Sequence, residues 1–389
     1  MRPSLRQRLM DWASRLGLAS PTPPRPSGGS GLTEALGPED AILWQGQTMP
    51  IDLPPAIAGW PPEFPDFNRS GVPPQPVYLA RLQGARVFGP SVAVCSSRNL
   101  LIREVSIEWR PRSVPWPMRR LRFPPAKELP GRNVLLASTG GETYYHFLLE
   151  VLPRLDLIDR AGIRLSPQDR WIVNDLRPAF VRELLARTGI PLDRCVETHR
   201  CRHLHCEELL VPSLPGQIGS PHRAIGDFYE RLFPGDPRAG KGKGPGLFLE
   251  RGGAAQRKLR LADAVSQILV SCGIEKVDLG RMSVALQAEK VRRASFVIAP
   301  HGAALANLVF CQAATPVLEL FAPGYINQCY RMLAAMRKLP YAYLVGRADG
   351  SGARQNRPGD ASGDLLFDMD TFRQAVETIR RISRSPASA

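Results

Sequence analysis

The sequence predicts an α/β protein of two domains, and three observations carry this. Short apolar runs alternate with amphipathic stretches of helix length, loosely over 134–233 and more regularly over 247–345. Residues 236–246, DPRAGKGKGPG, read as a linker between the two alternating halves. The 389 residues, 43% hydrophobic and 22% charged, are enough for two domains with a sizeable core each. The expected boundaries are an irregular, flexible extension over 1–76, an α/β domain over 77–235, a Rossmann-like domain over 247–346, and a loop with a terminal helix over 347–389.

Taken in order, residues 1–18 are basic and mildly amphipathic, with Leu5, Leu9, Trp12 and Leu16 along one stripe. They lack the apolar core of a signal peptide. Such a helix either frays on the surface or lies on an anionic membrane. Residues 20–31 are Pro/Ser/Gly-rich and linker-like, and 50–76 form a Pro-rich strap. Short β-type runs at 77–79, 85–88, 92–94 and 100–102, punctuated by Gly84 and Gly89-Pro90, predict a meander. Strands are expected at 134–136, 171–173 and 208–211, with helices over 142–161, 178–188 and 225–233. In the second half, strands are expected at 247–249, 276–278, 296–299, 316–321 and 341–345. Helices over 261–272, 284–293, 304–310 and 327–337 lie between them. That spacing implies a parallel sheet covered on both faces. Residues 346–364 are poor in apolar side chains and read as a loop, before a final helix over 371–382.

The formal net charge is +15, nearly all of it from arginine. Arginine forks suit phosphates and carboxylates. The surface therefore fits nucleic acid, an anionic membrane, or phosphate-bearing and acidic substrates, unless the excess simply follows coding composition. No basic–aromatic stacking platform accompanies it, which argues against nucleic acid. Seven cysteines without a disulfide-like spacing favour a reducing compartment. No run of about 18 apolar residues is present, so a cytoplasmic protein is expected, in contact with the membrane at most peripherally.

Five constellations could carry chemistry. Residues 295–320, SFVIAPHGAALANLVFCQAATPVLEL, put an apolar strand before His301, Gly302 and Ala303, and then a helix. Ligands in open α/β sheets bind beyond the carboxyl ends of strands. Amides at the helix start can receive a phosphate there. His301 and Asn307 would add donors, and Glu319 on the next strand would accept from ribose hydroxyls. The competing reading is a tight turn with a core histidine. In 142–155, ETYYHFLLEVLPRL, His146 and Glu150 fall at i and i+4 on one helical face. The carboxylate can hold the imidazole's tautomer so that it takes a proton from a hydroxyl; a solvated surface pair is the plainer reading. Arg251 and Arg257, with Lys258 and Arg260, follow the strand at 247–249 and could neutralise a diphosphate, or form a solvated basic loop.

The run His199-Arg-Cys201-Arg-His203-Leu-His205-Cys206 looks metal-binding. On a strand its alternate residues sit ~6.6 Å apart, too far to converge on one zinc at ~2.0–2.3 Å. Asp368-Met369-Asp370 precedes the last helix, where Asp370 reads as its N-cap. No metal is expected at either place. There is no P-loop, nucleophile elbow or GxGxxG.

As an ordered set these segments resemble glycosyltransferase family 61. The resemblance rests on Tyr144-Tyr145-His146-Phe147-Leu148-Leu149-Glu150 with Leu152-Pro153-Arg154-Leu155, on Arg251 and Arg257, and on Pro300 to Asn307. Glu319-Leu320, Tyr325, Asn327 and Cys329-Tyr330 complete it. It implies a GT-B-like fold, with two Rossmann-like domains facing a cleft: an acceptor-side domain over 77–235 and a nucleotide-sugar domain over 247–346. It further implies inverting transfer from a nucleotide-sugar to a glycan acceptor, with no cofactor and no obligatory metal, in capsular or exopolysaccharide synthesis. On this reading His146 and Glu150 are catalytic, and Arg251, Arg257, His301, Gly302, Ala303, Asn307 and Glu319 bind the donor. Four positions depart from the family pattern: Glu250 replaces a serine, Leu261-Ala262 replace Asn-Glu, and Ala304 replaces a glycine. The alternative they leave is a catalytically degenerate protein that binds a glycan or nucleotide-sugar.

Overall fold

The computed structural model describes residues 25–26, 32–47, 50–61, 71–72, 74–90, 92–106, 124–214, 225–235, 244–250, 259, 262–347 and 364–384. The basic N-terminal helix expected over 1–18 lies outside them, as do most of 20–31, 236–243, and 348–363 of the expected loop. The chain divides into two compact units, residues 1–47 with 76–215, and residues 48–75 with 216–389.

This division corrects the expected boundaries in three places. Residues 1–76 are not an extension outside the domains. Ala41–Gln47 pairs antiparallel with Pro76–Phe88 in the first unit, and Ala58–Trp60 pairs with Tyr341–Val345 in the second. The helix Ile225–Leu232 belongs to the second unit, because Tyr229 and Phe233 pack edge-on against Phe310. The last helix, Met369–Arg384, is an integral layer of that unit, with Phe372, Ala375, Val376 and Ile379 in its core.

The first unit is built on a nine-stranded mixed sheet. Its antiparallel part is the expected meander, with the first two runs fused into one strand, Pro76–Phe88. Gly84, at φ +60°, supplies the left-handed kink that lets this strand run on. The long strand Leu204–Pro212 pairs antiparallel with Pro76–Phe88 on one side and parallel with Lys127–Leu136 on the other. Arg170–Val173 and Cys195–Glu197 extend the parallel part. The unit is therefore Rossmann-like only over this parallel half.

The second unit holds a six-stranded, wholly parallel sheet. Its strand order is Ile274–Val277, Gly246–Leu249, Val297–Pro300, Val317–Phe321, Tyr341–Val345, Ala58–Trp60. Gly246–Leu249, Val297–Pro300 and Val317–Phe321 are buried along their whole length, as strands covered on both faces must be. The helices Ala262–Ser271 and Val284–Arg293 connect Gly246–Leu249, Ile274–Val277 and Val297–Pro300 in turn. The former ends before Gly273, at φ +66°, a glycine stop. The latter is capped by Ser283 and carries Lys290, Arg292 and Arg293 in its last turn. Gly246–Leu249 lies between the two strands that follow it in sequence, Ile274–Val277 and Val297–Pro300, so the strand order reverses between Gly246–Leu249 and Val297–Pro300. In open parallel sheets ligands sit beyond the strand ends at such a reversal.

Candidate active site

His301 follows the strand Val297–Pro300 at that reversal. Its backbone amide donates to Leu320 O (2.8 Å), which seats the turn on the neighbouring strand. Gly302 is extended, and a 3-10 helix, Ala303–Phe310, begins at once. The first intrahelical bond runs from Leu305 N to Gly302 O. The amides of Ala303 and Ala304 thus precede the ladder, the position at which a helix start can receive an anion. Ala303 is exposed there and Gly302 buried.

The histidine is enclosed. It is 6% exposed, its ring stacks on Phe321, and Tyr325 and Tyr330 meet it at steep angles, all with centroids between 5.1 and 5.3 Å. Its Nδ1 lies 2.5 Å from Glu319 Oε1, and the Tyr341 hydroxyl donates to Glu319 Oε2 at 2.5 Å. Glu319 is 0% exposed, within a strand of otherwise apolar side chains, Val-Leu-Glu-Leu-Phe. A buried carboxylate is costly unless hydrogen-bonded, and here both oxygens have partners. Burial beside Glu319 raises the Tyr341 hydroxyl well above its ordinary range, so it remains a donor. Glu319, expected to meet ribose hydroxyls, has both oxygens engaged inside the unit, one by the Tyr341 hydroxyl and one by His301. The buried amide of Asn307 donates to Ala304 O and braces the 3-10 helix.

Arg251 and Arg257 lie outside the described residues. Glu250, just before them, forms an ion pair with Lys276 on the adjacent strand (3.0 Å). The negative charge introduced at this edge is therefore countered locally.

In the first unit, His146 and Glu150 lie on a continuous helical segment whose pitch changes. Tyr144–His146 is α-helical, Phe147–Val151 a π turn, and Leu152–Arg154 a 3-10 turn, before Leu155–Arg160 resumes the α form. Pro153 has no N–H to return to the Leu149 carbonyl, so the regular ladder cannot pass through it. π turns of this kind are frequent at functional sites. His146 Nδ1 lies 2.8 Å from Glu150 Oε2, and Glu150 is only 5% exposed. The pair is therefore not a solvated surface pair. Tyr144 and Phe147 wedge against Phe180 on the following helix, fixing the segment.

Two supporting groups were not singled out by sequence reasoning. Arg154 is 1% exposed and donates to Pro212 O and to Ala137 O (2.8 Å), at the carboxyl ends of two strands. Burial pushes its guanidinium down to about 9. A lone arginine in the apolar run Leu-Pro-Arg-Leu was the available signal. Asn174 bonds both the amide and the carbonyl of Ser138, closing the turn that leads into the His146 segment.

The His/Cys run does not gather on one metal. His203 stacks on Phe88, His205 pairs with Glu128, and Cys206 enters the core. His199 instead approaches Glu197 (3.6 Å) and Asp175 (3.9 Å), a group whose ligand atoms lie within 4.8 Å of one another. Those carboxylates already accept from Arg177, Arg200 and the Leu176 amide. The Arg177 guanidinium holds Asp175 below the usual carboxylate range. At the last helix the cap is Asp368, not Asp370: its carboxylate accepts from the Thr371 amide and hydroxyl.

The parallel α/β architecture is compatible with a Rossmann-like glycosyltransferase fold. The family model described as Glycosyltransferase 61 matches residues 144–318, a span holding both His146 and His301. No curated protein matches the chain. Among the described residues, no helix is long and apolar enough to cross a membrane.

Proposed function

We propose that the protein is an inverting glycosyltransferase that moves a sugar from a nucleotide-sugar to a glycan acceptor without a metal, in capsular or exopolysaccharide synthesis. The observation that carries the donor site is the position of His301 and the Ala303 and Ala304 amides at the strand-order reversal of the second unit. The capsular setting rests on the family resemblance alone. Arg251 and Arg257 share the neutralisation of the departing diphosphate with His301 and the helix start. The Lys276–Glu250 pair offsets the charge that favoured a binding-only protein.

On the acceptor side, His146 is the base. Its Nδ1 is turned to Glu150, so Nε2 takes the acceptor hydroxyl's proton. The acceptor oxygen then bonds to the anomeric carbon while the bond from that carbon to the diphosphate oxygen breaks with its electron pair. A GT-B-like arrangement, with donor on the second unit and acceptor on the first, belongs to the same proposal, as does a cytoplasmic site of action, at most peripheral to the membrane.

The test is a panel of nucleotide-sugars, scored by donor hydrolysis and thermal shift, on the wild-type chain and on His301→Ala. One or a few donors should respond, and His301→Ala should abolish the response. Silence across the panel would sink the enzyme reading.

A further inference from the structure

We propose that Asp175, Glu197 and His199 bind a first-row divalent cation, Mn²⁺ or Zn²⁺, which ties together the carboxyl ends of two parallel strands in the first unit. The transfer step does not use this cation. The proposal therefore stands or falls separately from the donor-site reading above.

The topology brings the three residues together. Asp175 lies two residues beyond the strand Arg170–Val173, Glu197 ends the neighbouring strand Cys195–Glu197, and His199 follows it. Parallel pairing sets Val173 beside Glu197, so all three side chains start from the carboxyl ends of adjacent strands. His199 Nδ1 lies 3.9 Å from Asp175 Oδ1 and 3.6 Å from Glu197 Oε2, and the ligand atoms of the three residues all fall within 4.8 Å of one another. The Asn174 carbonyl adds a fourth oxygen, 3.2 Å from the same nitrogen. The two histidine–carboxylate separations are too long for hydrogen bonds. They suit ligands held ~2.0–2.2 Å from one centre, which stand ~3–4 Å apart. Carboxylate and carbonyl oxygens favour Mn²⁺, and the imidazole extends the set to Zn²⁺.

Charge and burial point the same way. The Asp175 and Glu197 side chains are only 7% and 9% exposed, and two buried carboxylates this close need cationic charge beside them. Without a metal that charge comes from Arg177 and Arg200, whose own side chains are 71% and 66% exposed. Their closest approaches are to the outer oxygens, Asp175 Oδ2 (2.6 Å) and Glu197 Oε1 (3.2 Å). The inner oxygens, Asp175 Oδ1 and Glu197 Oε2, accept from the amides of Arg177 and Leu176. Each keeps a second lone pair for a metal. Arg177 Nε also reaches Asp175 Oδ1 at 3.1 Å, so loading the site moves this solvent-facing guanidinium outward.

The full chain, stripped with a chelator and dialysed, is titrated separately with MnCl₂, ZnCl₂ and CaCl₂ and followed by calorimetry and thermal shift. One Mn²⁺ or Zn²⁺ should bind per chain and raise Tm, with Ca²⁺ weaker because it gains little from an imidazole. Asp175→Asn and His199→Ala should each weaken binding at least about tenfold, the effect that even outer partners of a metal site produce. Arg177→Ala should tighten it by removing a competing cation. If Asp175→Asn folds poorly, His199→Ala keeps the test open, since that side chain is 27% exposed. Pulsed electron paramagnetic resonance of the Mn²⁺-loaded chain should show coupling to one imidazole nitrogen, lost in His199→Ala. Failure of both Mn²⁺ and Zn²⁺ to bind saturably would overturn the proposal. So would binding that His199→Ala leaves unchanged, or that His205→Ala abolishes, which would place the metal on the neighbouring His/Cys run instead.

Discussion

His146 and His301 are held by the same device: each gives its Nδ1 edge to a glutamate that the fold has buried. At His146 the glutamate comes from one turn along the same helical segment, and at His301 from the adjacent parallel strand. In both cases the orientation is set before any substrate arrives, which is how a proton-transfer group gains from its neighbours. The two should differ kinetically. His146→Ala is expected to lower turnover by about 10²–10⁴-fold while leaving donor affinity within about twofold of wild type. Transfer kinetics against donor concentration read this directly, and unchanged turnover would remove His146 from the base role. The sequence made both histidines visible, through the i, i+4 spacing at 146 and 150 and through the strand-to-turn placement of 301. It did not reveal the task of Glu319. An acidic residue at the end of a strand suggests a ligand contact, and only the register opposite Ala299 shows it turned inward to the neighbouring histidine.

At the scale of elements, the turn into the His146 segment is the most constrained. Gly141 is packed so closely that a Cβ there would lie 2.2 Å from Asn174 Oδ1. Gly141→Ala should therefore loosen the Asn174–Ser138 clamp and destabilise the first unit by about 1–3 kcal/mol, read as a lower urea midpoint. An unchanged midpoint would mean that Asn174 can withdraw freely. The alternation of strands and helices was legible because parallel strands must be apolar on both faces, and the runs at 297–300 and 317–321 show it. The mixed pairing of the first sheet was not, since a single strand such as Leu204–Pro212 carries no mark of being antiparallel to one neighbour and parallel to the other. Nor was the π turn, because a one-residue widening lies below the resolution of hydrophobic periodicity.

For the molecule as a whole, buried weak acids set the alkaline limit. Burial raises Tyr78 and Tyr341 above their ordinary value of 10.0. It also pushes the thiols of Cys95, Cys206 and Cys311 from 9.0 up to about 12. In each case the folded chain holds its proton more tightly than the unfolded chain. The stabilisation is complete below the unfolded value and is lost as pH rises through the window toward the folded one. Stability should fall from about pH 9 upward, each such group contributing at most about 1.4 kcal/mol per pH unit. Urea unfolding between pH 8 and 11 tests this, and a flat profile would contradict the burial of these groups. The mixed α/β class with parallel strands was legible in the sequence. The assignment of 48–75 was not, because a three-residue edge strand leaves almost no pattern.

That edge strand has a consequence for how the protein is made. Ala58–Trp60 leaves the ribosome well before Tyr341–Val345, its only strand partner among the described residues. At about 5–20 residues per second the wait is on the order of tens of seconds. During that time the first unit can pair Ala41–Gln47 with Pro76–Phe88, while Ala58–Trp60 waits for its partner. The second sheet therefore gains its sixth strand only once Tyr341–Val345 has emerged, by capturing a segment that has meanwhile been open to chaperones and proteases.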